Sequence, residues 1–298
     1  MTRYTPYAEG EAGFQIGLRP LDPHEWIEPD ERAAEQFANK ARLLSERPGD
    51  VVATTPGSEA AQGELLTLLS QYLARQYPEL YRRDGSIVHV GPAAWDVDLG
   101  DGALAAIDRA GRLVQEDLCL MQMQGGRHVL TAASLCAPSV WRLSEKIGRP
   151  LGGVHEPVPG FAAMMEARVE RIFSHLKVDA PVWRLNWSVM SEPTLFLPET
   201  VHDRTEQRLA GLVAQTAGDK LFLRVERQTL RRLPVTGAIV FTIKTYIDPL
   251  RAISERPDLM RGLRQAITAM PEEMAGYKAM APIRDAVIGW LDWCLRVY

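Results

Sequence analysis

Residues 112–136 read RLVQEDLCLMQMQGGRHVLTAASLC, and this stretch decides the fold class. It divides into two β-prone runs, residues 112–123 and 128–136. Between them, Gly125 and Gly126 supply the backbone freedom that a tight hairpin turn needs. Adjacent runs joined by so short a turn pair antiparallel. Three further strands are expected at residues 182–190, 220–230 and 237–246. The last, GAIVFTIKTY, is rich in the β-branched and aromatic residues that suit a pleated, half-buried surface. Residues 231–235, containing Pro234, join the last two.

Helices surround these strands. Helical periodicity is expected over residues 29–46, 58–77 and 161–176. In the second of these, Leu65, Leu66, Leu68, Leu69, Tyr72 and Leu73 make an apolar stripe, and Ser58 is the expected N-cap. Short helices follow Pro249, the last anchored by Trp290, Trp293 and Leu295. Hairpin-linked strands with helical inserts predict an α+β fold, an antiparallel β-sheet covered by helices. No GxGxxG follows a strand and no GxxxxGK[ST] occurs, so the usual glycine-rich cradle for a dinucleotide or a triphosphate is missing.

Composition excludes several classes. The net charge is -4 and no long run of Lys and Arg occurs, which argues against nucleic acid as a partner. No apolar run approaches the ~20 residues needed to span a bilayer. The first residues, MTRYTPYAEGEAGF, lack the apolar core of a signal peptide. Cys119, Cys136 and Cys294 are odd in number, widely spaced and without a CxxC, so a reducing, cytoplasmic location is expected.

Candidate chemistry lies between Gln115 and Phe161. The acidic run from Asp96 to Gly102 fails the calcium-loop pattern, because Asp101 and Ile107 stand where a glycine and a glutamate are required. It reads as a solvated turn. His24, His89, His128, His175 and His202 have unremarkable sequence surroundings. His155 differs, since Gly152 and Gly153 precede it and Pro157 and Pro159 follow. A loop so constrained can hold an imidazole at the fixed angle an axial metal ligand requires. It can equally hold a histidine that hydrogen-bonds its own turn, and spacing alone favours that plainer reading. Glu116 and Asp117 are adjacent carboxylates in an otherwise apolar strand, so one is expected on each face. A buried carboxylate needs a cation or donors. Arg142, Arg227 and Arg231 are candidate ion-pair partners, and a cationic ligand is the functional alternative.

Five segments together resemble the haem-dependent oxidative N-demethylase alpha-subunit-like family: VQED (114–117), PSVWRLSEK (138–146), HEPVPGF (155–161), NWS (186–188) and ERQTLRRLP (226–234). The resemblance covers about residues 14–250. It implies a PAS-like sheet carrying haem b, with a helical extension over residues 1–80, a haem-binding core over 81–250 and C-terminal helices over 251–298. It further implies oxidation of a small secondary amine, such as dimethylamine, with release of formaldehyde. Electrons would come from flavin- and nicotinamide-dependent partner subunits. On this resemblance His155 is the axial iron ligand, and Arg142, Lys146, Arg227 and Arg231 are candidate cations for the haem propionates. Glu116 or Asp117 would hold the protonated amine. The alternative is a haem-based sensor or carrier with the same fold and no turnover.

Overall fold

The structure is a computed structural model that describes residues 2–10, 16–156, 158–198, 209 and 211–296. His202 and Pro157 lie outside the described residues. In chain order the elements are β1 (Arg19–Pro20), α1 (Ala33–Glu46), α2 (Pro48–Val51), β2 (Val52–Thr54), α3 (Glu59–Gln76), β3 (Tyr81–Asp84), β4 (Ile87–Val90), β5 (Trp95–Asp98) and α4 (Ala106–Gly111). The central hairpin follows as β6 (Asp117–Gln124) and β7 (Arg127–Ser134). Then come α5 (Leu143–Lys146), α6 (Leu151–Val154), α7 (Phe161–Met164), α8 (Glu166–His175), β8 (Val182–Met190), α9 (Ala214–Lys220), β9 (Phe222–Arg232) and β10 (Ile239–Pro249). The chain closes with α10 (Pro257–Thr268), α11 (Glu272–Tyr277) and α12 (Arg284–Leu295).

Seven strands form one antiparallel sheet in the order β1-β8-β9-β10-β6-β7-β2. The hairpin turn is where the two glycines predict it, with Gly125 and Gly126 at φ +56° and +80°. A second sheet, β3-β4-β5, has no counterpart in the sequence reading. Its strands are four residues each and charged at several positions, too short for a clear alternation. Asp84-Gly85, a turn dipeptide between two of them, is the signal that marks it.

Side chains alternate across the large sheet and give it two different faces. On one, Leu118, Leu120, Ala132 and Val240 meet Phe37 of α1, Leu65, Leu69 and Leu73 of α3 and Ile107 of α4. Further along this face Trp187, Val189, Val225 and Tyr246 pack on Met260, Leu263 and Ile267 of α10 and on Trp290 and Leu291 of α12. On the other face, Cys119, Met121, Leu130, Leu230, Ile239 and Ile243 meet Leu143, Leu151, Phe161 and Phe173 from α5–α8. Met165, Val169, Phe173 and Leu176 recur at helical spacing and seat α8 on that second face. Burying Phe173 alone contributes about 1.5–3 kcal/mol.

Three expectations are corrected. Residues 112–116 are not strand; Arg112 ends α4, and the Lys40 ammonium binds the carbonyls of Gly111, Val114 and Glu116 at 2.9, 2.8 and 2.6 Å. The helix expected over residues 161–176 is broken into α7 and α8 at Met165. Trp293 is 53% exposed and anchors nothing, whereas Trp290 is buried and Leu295 partly buried. Ser58 occupies the N-cap position of α3, yet its hydroxyl donates to the Thr55 carbonyl instead of capping.

Candidate functional site

His155 follows α6 directly and stands over the second face of the sheet. Its ring stacks on Phe161 at 4.5 Å between centroids and 13° between planes. Its Nδ1 lies 3.0 Å from the Leu151 carbonyl oxygen. A carbonyl only accepts, so Nδ1 carries the hydrogen and the neutral ring keeps its lone pair on Nε2. No described residue bonds that Nε2. Burial disfavours the charged imidazolium and lowers the pKa of His155, and the positive charges of Arg184 and Lys146 act the same way. The product is a neutral imidazole, fixed in tautomer and plane, whose Nε2 no described residue engages.

Lys146, at the end of α5, is buried and donates to the Gly153 carbonyl at 3.4 Å, which places it beside the His155 loop. Burial lowers its pKa. Arg142 is exposed at the start of α5. Arg184 comes to the same face from β8, next to Glu226 of β9. The Glu226 carboxylate accepts from Arg224 Nε at 3.2 Å, Gln228 Nε2 at 3.0 Å and Asn186 Nδ2 at 3.3 Å. Lys278, just after α11, adds a cation above the Trp187 indole and donates to the Trp187 carbonyl at 2.6 Å. Burial pulls its pKa down to about 8. Arg184, Asn186, Glu226 and Lys278 are functional candidates that the sequence reading did not single out as a group. The alternation of Arg184, Asn186 and Ser188 along β8 is the signal that aligns them on one face.

The adjacent carboxylates separate. Asp117 shares the face of Cys119 and Met121 and is fully buried. Its oxygens accept the backbone N–H groups of Cys136 at 2.6 Å and Ala137 at 2.9 Å. Burial raises its pKa to about 6, against the opposing pull of Lys40 and the two amides. A recess about the size of one water lies beside it, lined by Gln36, Lys40, Gln115 and Thr245 among others.

Glu116 turns to the opposite face. Its Oε1 accepts the Glu28 amide at 2.9 Å, and Oε2 is buried without a hydrogen bond. Arg227 and Arg231 lie on that same face. Arg227 donates to the carbonyls of Glu25 and Trp26 and lies 3.5 Å from Glu28, and Arg231 stacks over the Trp26 ring at 4.6 Å. The structure therefore brings His155, Lys146 and Asp117 to one face and does not bring Glu116, Arg227 or Arg231 to it. The reason is the two-residue period of strands: Arg227 and Arg231 are odd-numbered on β9, whereas Arg224, Glu226 and Gln228 are even-numbered. The expected ion pair between the Glu116–Asp117 carboxylates and Arg142, Arg227 or Arg231 does not form. Backbone amides serve both carboxylates instead.

His128 also departs from its unremarkable sequence surroundings. It is buried and bonds Glu170 of α8 through Nδ1 at 2.6 Å. Among the described residues no three or more His, Cys, Asp or Glu side chains gather as a metal-binding group.

Residues 17–288 match the family described as haem-dependent oxidative N-demethylase, alpha subunit-like. The chain belongs to this family. The match extends the likeness past residue 250, where the sequence reading ends, and takes in α10, α11 and Lys278. The five segments that carry the likeness also fall at structurally specific places. HEPVPGF holds the imidazole and its stacking Phe161, and PSVWRLSEK holds Lys146. NWS and the even positions of ERQTLRRLP build the polar end of the same face. None of the described helices is long and apolar enough to cross a membrane.

Proposed function

We propose that this chain is the haem b-carrying subunit of an oxidative N-demethylase that acts on a small secondary alkylammonium and releases formaldehyde. The observation that carries the reading is the His155 imidazole, with Nδ1–H committed to Leu151 and Nε2 left as a lone-pair donor over an apolar face. A backbone carbonyl on the far nitrogen is the arrangement that fixes tautomer and orientation in metal-binding histidines. The order β7-β6-β10-β9-β8 reads 2-1-5-4-3 when counted from β6, with α5–α8 inserted after the second strand. That arrangement supports the PAS-like description.

When bound, haem supplies the redox chemistry at its iron. The chain's own residues supply position and charge. His155 would hold the iron. Buried Lys146 and half-buried Arg184 would provide positive charge for the propionates, and exposed Arg142 would provide it at the rim. The sheet residues Cys119, Met121, Ile239 and Ile243 exclude water. Asp117 is the carboxylate proposed to hold the alkylammonium: strand parity puts it on the His155 face, and among the described residues each of its oxygens accepts one backbone amide, which leaves it capacity for a further donor. Glu226 is the second carboxylate of that face. Its three donors occupy most of its capacity, and it orders Asn186 and Gln228. A cytoplasmic location is part of this reading, since Cys119, Cys136 and Cys294 are odd in number and without a CxxC. The alpha-subunit-like family description supports partner subunits, and in this reading they would deliver electrons through flavin and nicotinamide.

The test is turnover. Haem-loaded protein supplied with dimethylamine, oxygen and a surrogate ferredoxin–reductase system yields formaldehyde and methylamine in equal amounts. A haem-loaded protein that gives neither product, and whose ferric spectrum no small amine perturbs, is a sensor or carrier.

A further inference from the structure

We propose that His128 and Glu170 form a positioning pair for the axial ligand, an inference that rests on the haem reading of His155. The pair lies outside the motif segments, and its role emerges from how the loop bearing His155 is fastened at its two ends.

Both ends are fastened to β7. On the incoming side, residues 148–150 run as a short ladder against it: Leu130 donates to the Arg149 carbonyl at 3.0 Å, Gly148 donates to the Leu130 carbonyl at 2.8 Å, and Val129 faces Pro150. Helix α6 and His155 follow at once. On the outgoing side the chain passes through Phe161, which stacks on the His155 ring, into α8. Glu170, in the middle of α8, takes two hydrogen bonds from His128, one from its backbone N–H at 3.2 Å and one at ring Nδ1 at 2.6 Å. The His128 ring also meets the edge of Phe173 at 5.3 Å.

The carboxylate of Glu166, the first residue of α8, reaches back to Gly152 of α6. At the far end of α8, Arg232 of β9 donates to the carbonyls of Phe173, Ser174 and Leu176, which ties the helix terminus to the sheet. Three adjacent residues of β7, His128, Val129 and Leu130, therefore set the separation between the two arms of the loop. The ring nitrogen of His155 is held over the sheet by that separation. The His128 side chain is 3% exposed and that of Glu170 20%, so the bond between them is largely shielded from water. A shielded hydrogen bond of this kind is stronger than the aromatic stacking contact it supports.

Haem-loaded full-length protein tests the inference with Glu170→Ala and Glu170→Gln. Glu170→Ala is expected to take up haem but to lose it to excess apomyoglobin about tenfold faster than the parent, with a shifted ferric Soret band. Glu170→Gln keeps an acceptor for the His128 amide and is expected to restore most of the parental rate and spectrum. Met260→Ala, in the remote α10 core, controls for general loss of stability. Haem loss from Glu170→Ala at the parental rate with an unchanged spectrum would overturn the proposal. Equal acceleration in Met260→Ala at matched thermal stability would overturn it too. His155→Ala separates the two claims: if it retains haem, the axial reading fails, whereas if it loses haem while Glu170→Ala is silent, only the positioning role fails.

Discussion

Glu116 and Asp117 are neighbours in the chain and point to opposite faces of the large sheet, the first toward Glu28 and the second toward the side of His155. Sequence position makes them equivalent candidates for binding a cationic amine. Geometry makes them different. Asp117→Asn should weaken the response of the ferric Soret band to dimethylamine at least tenfold while leaving haem uptake intact. Glu116→Gln should leave the amine titration unchanged. Equal losses in both variants would refute the division of roles.

Ionisation of Asp117 gives amine binding a pH dependence of known sign. Only the carboxylate attracts an alkylammonium, and burial raises its pKa to about 6. Amine affinity should therefore rise as pH increases through about 6 and then level off, and Asp117→Asn should flatten the profile. Stability runs the other way. The native state binds the proton more tightly than the unfolded chain, whose carboxyl has its ordinary value of 3.8. Stability should fall as pH rises between these two values, by an amount on the order of 3 kcal/mol. Urea denaturation at pH 4.5 and pH 7 of the parent and of Asp117→Asn measures it.

Arg227 belongs to a structural cluster on the face away from His155. Glu28 accepts Tyr246 Oη at 2.6 Å and Tyr4 Oη at 2.8 Å, and it pairs with Arg3 as well as Arg227. Removing one member of such a cluster leaves a buried charge short of its partner, which costs about 3–5 kcal/mol. Arg227→Ala should show that loss in urea denaturation, with haem affinity unchanged once the protein is folded. A selective loss of haem affinity at full stability would return Arg227 to the haem site.

Gly262 of α10 lies where the N-terminal segment crosses the helix. A Cβ at that position would come within 2.2 Å of the Ala8 carbonyl oxygen, a backbone atom that cannot swing aside. Gly262→Ala should destabilise the protein by about 1–3 kcal/mol through overpacking, against the gain that alanine normally gives inside a helix. Thermal unfolding of the variant decides the sign.

How much of this was legible in sequence differs between the fold and the site. The strand over Val182–Met190 is read to the residue, because a β-prone run there is bounded at both ends. The start of β6 is misplaced by five residues. There the carbonyls of Gly111, Val114 and Glu116 go to one lysine 70-odd positions upstream, and no local pattern announces so distant a partner. The small sheet of Tyr81–Asp98 is overlooked for the opposite reason, since its strands are too short for periodicity to rise above turn signals. At the site, the motif containing His155 is legible as a stiff loop, but its tautomer is not, because that depends on which carbonyl the ring meets. The motif containing Arg227 and Arg231 names the right strand. Which of its residues face the imidazole depends on strand parity, and parity has meaning only once register is known. His128 is the clearest example of a residue whose importance lies entirely in tertiary structure, since its partner Glu170 is 42 positions away.

Titration of the purified full-length protein with haemin measures whether His155 Nε2 binds haem iron. The parent should develop a Soret band that saturates at one haem per chain, and His155→Ala should lose that band or bind haem far more weakly. A parent protein that acquires no Soret band, or a His155→Ala variant that binds haem with the parent's affinity and spectrum, would contradict the account.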